Sequence, residues 1–312
     1  MKKHRAALLK SWPTYSMPGI RPCMRNAEYE LPKNVSPMYL SEIWVYPVKS
    51  LAGQRVTQCR AGWAGLEYDR QWMITGKNGI FLTQRALPQM ALIQAGVTSE
   101  GLLLSECGNA ENHLLVPFLS AAGIVRQVKV WDDWVTSRSE GQQADHWLSE
   151  RLGRAVSLVR MQENLSKRSF SVPDYPQGAL SFADDFPYHL VSQSSIDDLN
   201  TRLDDSVSVR RFRPNFVIAG ALPYADDHWF RFRMGDAAFA APSRCDRCVM
   251  VNVDPATGEK GKQPLKSLAS YRREDRKIHF GQNLIATAEG VVREGDILTV
   301  TANRSLDKSA DH

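Results

Sequence analysis

Two cysteines three positions apart, each preceded by an arginine, are the residues of this 312-residue chain best suited to metal or redox chemistry: Arg244-Cys245-Asp246-Arg247-Cys248. A thiolate is the nucleophilic and metal-binding form of cysteine, and a neighbouring guanidinium favours that charged form. The pair is therefore a candidate soft ligand. A structural zinc would need more ligands, and the histidines at 4, 113, 146, 189, 228, 279 and 312 offer no close pair. A redox dithiol belongs at a helix N-terminus, whereas Val249-Met250-Val251-Asn252-Val253 alternates like a strand. Two buried thiols in a β-rich core complete the set of readings, since free cysteine is among the most buried side chains.

Other polar residues fall near predicted strand ends: Lys49-Ser50, Asp69-Arg70 and Arg213-Pro214-Asn215. Arginine offers a planar fork for phosphate, serine a short hydroxyl, and asparagine both a donor and an acceptor, so together they suit an anionic heterocycle. Taken singly, each also reads as a solvated turn. Asp184-Asp185 could accept from ring amino groups or cap a helix, and spacing does not choose.

The elements that must position these residues are mostly strands. From residue 40 to about 135, short apolar runs alternate with turn signals: SEIWVYPV, RQWMITG, IFLTQR, MALIQAGV and GLLLSE, with a hairpin signal at Asn78-Gly79. Helical spacing of Ala144, Trp147, Leu148 and Leu152 predicts a helix ending at Gly153. A second helix is predicted over SSIDDLNTRL with Ser195 and Asp198 as capping box, and a third over PLKSLASYR. Strands are predicted at FVIAG, FRFRMG, AAFAA, VMVNV, HFGQNLIA and GDILTV. The fold class is mainly β with several helices (α+β), as two packed β-rich halves.

The net charge of +5 resides in residues 1–37, which carry seven Lys or Arg against two Glu. The remainder is neutral, which predicts no nucleic-acid partner. That proline-rich segment reads as a flexible basic extension. No run approaches the roughly 18 apolar residues of a membrane span, and the N-terminus lacks the pattern of a secretory signal. Five scattered cysteines predict a reducing compartment, and the lack of a signal pattern predicts a cytoplasmic one.

Eight ordered runs over roughly residues 40–300 resemble the two-part MOSC proteins, the group that includes bacterial YcbX-type proteins and the mitochondrial amidoxime-reducing component. They are YPVKS, YDRQWMI, FLTQRALPQM, LSFADDFPYHLVSQSSIDDLN, FRPNFVIAG, SRCDRCVMVNVDPATG, PLKSLASYR and FGQNLIA. The resemblance implies a MOSC N-terminal β-barrel-like domain over 38–158, a MOSC domain over 159–305 and a tail over 306–312. Between the domains it implies a molybdenum cofactor of the molybdopterin type, with Cys248 as catalytic residue and metal ligand. Lys49, Ser50, Arg70, Ala183, Asp184, Asp185, Arg213, Asn215, Cys245, Asp246 and Arg247 map onto cofactor contacts, Arg247 keeping the thiolate ionised. Asp246 stands where the family commonly has serine, which would offset Arg247 in part.

The implied activity is reduction of N-hydroxylated compounds: hydroxylamines, amidoximes and N-hydroxylated bases. The Cys-x4-Cys-x2-Cys of a plant-type iron–sulfur domain does not occur in this sequence. The resemblance therefore implies an external electron donor (ferredoxin, flavin reductase or haem protein) and no direct use of NADH or NADPH. The alternative it allows is a molybdenum-cofactor or sulfur carrier working through Cys248.

Overall fold

Alternating apolar and polar residues need a sheet to bury one face, and the described residues form five sheets with three α-helices. The computed structural model describes residues 37–118, 123–162 and 168–304. Apart from Pro37, the basic extension lies outside the described residues, as does the 306–312 tail. The α+β class predicted above is observed.

The largest sheet has nine strands. Its main path runs Gln54–Val56, Tyr39–Val45, Phe216–Ala219, Tyr188–Ser192, Lys277–Ala288, Ala237–Asp246, Trp229–Met234 and Leu298–Asn303. Neighbours pair antiparallel except Tyr188–Ser192 with Phe216–Ala219, which are parallel and linked by the helix Gln193–Asn200. The first strand of the described chain thus inserts beside Phe216–Ala219, far later in the sequence, and the described residues belong to one compact unit. Its inner face buries Leu40, Ile43, Tyr188, Phe216, Phe232 and Phe239. A second core gathers Val48, Leu51, Trp72 and Ile74 with the helix Gln142–Leu152. That helix buries the four predicted residues and stops at Gly153, whose φ of 62° is left-handed and best tolerated by glycine.

Three local expectations are corrected. The Gln193–Asn200 helix starts earlier than predicted: Ser192, not Ser195, is its N-cap and accepts from the Ser195 amide. Its seat at the end of an apolar strand leaves Ser192 in extended backbone, as a cap requires. IFLTQR makes only isolated bridges, because Thr83 O accepts from both Ala86 N and Leu87 N and turns the chain. VMVNV is not a strand: Val249–Asn252 is a 3-10 turn with Cys248 as its N-cap residue. The side chain of Asn252 there accepts from Leu265 N at 3.0 Å, and Val251 joins the core of Phe212, Leu268 and Phe280. Tertiary packing has overridden the alternating pattern.

Candidate active site

One cleft is lined by every site residue read from the sequence: Lys49, Ser50, Arg70, Ala183, Asp184, Asp185, Arg213, Asn215, Cys245, Asp246, Arg247 and Cys248. Lys49-Ser50 follow the strand Tyr39–Val45, Arg70 precedes Trp72–Gly76, and Arg213 ends the 3-10 turn Val209–Phe212. Cys245 and Asp246 close the strand Ala237–Asp246.

Three of these turns are left-handed at residues other than glycine: φ is 68° at Ser50, 52° at Arg70 and 52° at Arg213. Each such residue costs about 1–2 kcal/mol, so three in one cleft mark a geometry that the surrounding packing must hold. Part of that packing is Tyr46. Its ring lies under both guanidinium groups, 4.6 Å from Arg70 and 4.3 Å from Arg213, and burial pushes its hydroxyl pKa up to about 12.

The cations divide into two sets. Lys49 donates to Phe182 O (2.7 Å) and to the Asp184 carboxylate, and Arg70 donates to Asp69, so each has a counter-charge. Arg213 and Arg247 have none within ion-pair distance among the described residues. Arg213 donates to Leu51 O at 2.5 Å. Arg247 donates to Phe280 O at 2.8 and 2.6 Å and to Phe212 O at 3.3 Å. Burial pulls Arg213 down to about 10 and lowers Arg247 as well. Two guanidinium groups half-withdrawn from water without carboxylates suit an anionic occupant.

The carboxylates behave differently from each other. Burial raises Asp184, but the Lys49 charge and hydrogen bond, with a 3.0 Å bond from Trp131 Nε1, outweigh it and hold the carboxyl at about 2. Protein surrounds the group while the open side of the cleft still wets it. Asp185 is raised by burial and by Asp184. Asp246 turns away from the thiols, its oxygens 2.7 Å from Lys277 Nζ and 2.9 Å from His279 Nδ1. Asn215 is fully buried and its side chain is consumed by the frame, donating to Trp44 O and accepting from His189 N and Arg70, each at 3.1 Å.

Cys248 is exposed and Cys245 less so, and burial raises the Cys245 thiol. The cation touching Cys248 is not the adjacent Arg247 but Arg85, whose Nη2 donates to Sγ at 3.3 Å. Arg247 instead meets His189. Nδ1 of His189 lies 3.0 Å from Gln282 O, which can only accept, so Nδ1 carries the proton and Nε2 is the acceptor for Arg247. Burial first, and the Arg247 charge second, hold this imidazole well below its usual pKa and keep it neutral. Gly281 (φ 75°) makes room, since a Cβ there would stand 2.7 Å from His189 Cε1 and 2.4 Å from Leu190 O.

The residue types alone did not single out Arg85, His189, Tyr46 or Arg168. Arg168 is buried and donates to Ser181 O (2.6 Å), Ala183 O and Asp184 O (2.9 Å), fixing the loop that presents Asp184. Tyr46, Arg85 and His189 do lie inside the resembling runs YPVKS, FLTQRALPQM and LSFADDFPYHLVSQSSIDDLN. Arg168 lies in none.

Comparison with known proteins adds the following. Residues 38–155 match the MOSC N-terminal beta barrel domain and residues 177–299 the MOSC domain. Molybdenum cofactor sulfurase of Oryza sativa subsp. japonica is 35% identical over 268 residues, 80% of this chain but 32% of that protein. The chain thus spans about a third of the length of the plant sulfurases it matches. Mitochondrial amidoxime-reducing component 1 of Homo sapiens is 30% identical over 275 residues, 82% of this chain and 81% of that protein. Among solved structures, the YuaD protein from Bacillus subtilis covers 84% of this chain and 94% of its own at 10% identity, with a TM-score of 0.36.

Proposed function

The chain belongs to the MOSC family, and from that premise we propose a molybdenum-cofactor enzyme that reduces N-hydroxylated compounds (hydroxylamines, amidoximes and N-hydroxylated bases), with electrons from a separate redox protein. One observation carries the reading: an exposed thiol, Cys248, at the mouth of a cleft whose walls hold two arginines without carboxylate partners. A soft thiolate suits molybdenum and the arginines suit the anionic phosphate of a pterin cofactor. The amidoxime-reducing relatives match over most of their length and support the reaction class.

When bound, the cofactor supplies two-electron chemistry for breaking an N–O bond. The chain supplies the rest. Cys248 is the metal ligand. Arg213 and Arg247 would bind anionic oxygens, with Lys49 and Arg70 adding positive charge and the Ser50 hydroxyl a short donor. The main chain of 183–185 and of Cys245-Asp246-Arg247 would meet the pterin ring. Asn215 serves by holding Arg70 and His189 in place. Free Cys59, Cys107, Cys245 and Cys248 accord with a reducing, cytoplasmic working compartment, which we include in the proposal. No helix among the described residues is long and apolar enough to cross a membrane.

The test is molybdenum and pterin content, together with reduction of a hydroxylamine by a chemical donor, in the wild type, Cys248→Ser and Cys245→Ser. About one equivalent of molybdenum in the wild type, lost on changing Cys248 and retained on changing Cys245, is the expected result. Molybdenum in none of the three sinks the proposal. The sulfurase similarity favours one second reading, a molybdenum-cofactor or sulfur carrier using Cys248. Bound cofactor without any turnover selects it.

A further inference from the structure

Arg85 stands outside the ring of cleft-lining residues, yet it reaches the thiol across the mouth. It is not a loose surface arginine. Its turn is fixed by two bonds to Thr83 O, by Gln84, which is buried and donates to Ser50 O at 2.8 Å, and by its own amide on Thr83 Oγ1 at 3.2 Å. The guanidinium lies over the Trp131 ring at 4.8 Å. Trp131 is itself held by Asp184 and packs on Phe81 with ring centroids 5.1 Å apart. A second cation, Lys260, comes from the other half of the chain and places Nζ 3.5 Å from Arg85 O.

Neither Arg85 nor Lys260 has a carboxylate within ion-pair distance among the described residues. Asp184, which shares Trp131 with Arg85, is committed to Lys49. Arg85 uses one donor on sulfur and one face on Trp131, which leaves most of its five N–H groups able to bind an oxyanion that comes close to Cys248.

We propose that Arg85, with Lys260, is a specificity-determining residue that binds an acidic group, carboxylate or phosphate, on the substrate and so favours N-hydroxylated acids over their neutral counterparts. This deepens the function proposed above and rests on it. A planar fork preset on an aromatic ring pays little entropy on binding an oxyanion, and a charge-assisted pair at a half-open rim is stronger than one in bulk water. Because the acidic group lies away from the N–O bond, its binding is equal in ground and transition states and acts on KM, not kcat.

The experiment compares holoprotein of wild type, Arg85→Gln, Lys260→Gln and Trp134→Ala, the last an exposed tryptophan on the strand Asp133–Ser139, which pairs with Val125–Val130 across the turn that holds Trp131. Substrates are a benzamidoxime bearing a para-carboxylate, its para-carboxamide and its para-phosphonooxy analogue, with molybdenum content measured throughout. Binding of the corresponding non-reducible benzamidines is followed by calorimetry. The expected result is a preference for either acid over the amide that falls about tenfold in Arg85→Gln through KM, and less in Lys260→Gln, with the preference unchanged in Trp134→Ala. Preference for one acid only identifies which oxyanion the rim takes. Equal losses for acids and amide, or a loss in kcat that tracks molybdenum content, would overturn the inference and make Arg85 a support of Cys248. If no substrate turns over, the proposed function fails, and calorimetry still decides: acid-selective binding abolished by Arg85→Gln supports the rim site, and equal binding of acid and amide refutes it.

Discussion

At the scale of single residues, the thiol-bearing strand is held in place by an unusual partner for arginine, a neutral histidine. Arg247 spends most of its donors on Phe280 O, Phe212 O and His189 Nε2, keeping one Nη1 hydrogen for an anion, and the imidazole lone pair is the acceptor that lets a guanidinium sit half-buried without a carboxylate. His189→Leu keeps the volume roughly and removes both polar atoms, leaving Arg247 and Gln282 O each short of a partner. Destabilisation of about 1–3 kcal/mol is expected, measured by urea unfolding, together with weaker retention of molybdenum. The twelve residues read from the sequence gather in one cleft because the resemblance supplied them as a set. What stayed illegible was which atoms face the ligand. Asp246 turns to Lys277, and Asn215 to the frame, because of partners that a linear sequence does not place nearby. Arg85 is 163 positions from the sulfur it touches, and no local pattern encodes that distance.

Among the elements, the helix with a full apolar stripe was readable, whereas strands such as Asn109–Pro117 and Asp133–Ser139 were not assigned from the sequence. The helix Gln142–Leu152 has its apolar stripe and terminal glycine in view, so its limits follow from helix physics alone. VMVNV has the composition of a strand, but the Asn252 side chain and the Phe212–Phe280 core take it for a 3-10 turn. Turn chemistry also leaves stability unrealised. Asp275 and Arg276, joining Arg273–Glu274 to Lys277–Ala288, have φ of 47° and 67°, the pattern of a type I′ hairpin that favours glycine at its second position. Both are exposed. Arg276→Gly should stabilise the protein by about 0.5–1 kcal/mol, seen as a higher urea midpoint with an unchanged slope, and with molybdenum content unaffected.

For the whole molecule, the pH dependence of folding has an identifiable source in Asp226. It is buried, its Oδ1 lacks a hydrogen-bond partner, and burial, followed by the Asp227 charge, raises its carboxyl to about 6. The folded state therefore holds this proton more tightly than the unfolded chain, where the pKa is about 3.9. Its favourable contribution is full below about pH 4 and is lost as pH rises through about 6, a change of about 3 kcal/mol. Asp226→Asn cannot ionise. It should flatten that slope and be the more stable protein at about pH 7.5, and equal slopes in urea titrations of the two proteins would contradict this assignment. The β-rich class was readable from alternation. The insertion of the first strand into the later sheet was not, because pairing partners far apart leave no periodic trace.

That insertion sets a timetable for biosynthesis. Ser41 donates to Val217 O across 176 positions, so the strand Tyr39–Val45 leaves the ribosome long before its partner exists. At about 5–20 residues per second the wait is roughly 10–35 s, during which an apolar strand with an open edge is vulnerable to aggregation. Lys49 and Ser50 follow directly on that strand while Cys248 is made later still, so the cleft can be assembled only after most of the chain has been synthesised. Loading of any cofactor therefore waits until the strands Ala237–Asp246 and Lys277–Ala288 are made, and the nascent chain needs protection before it needs metal.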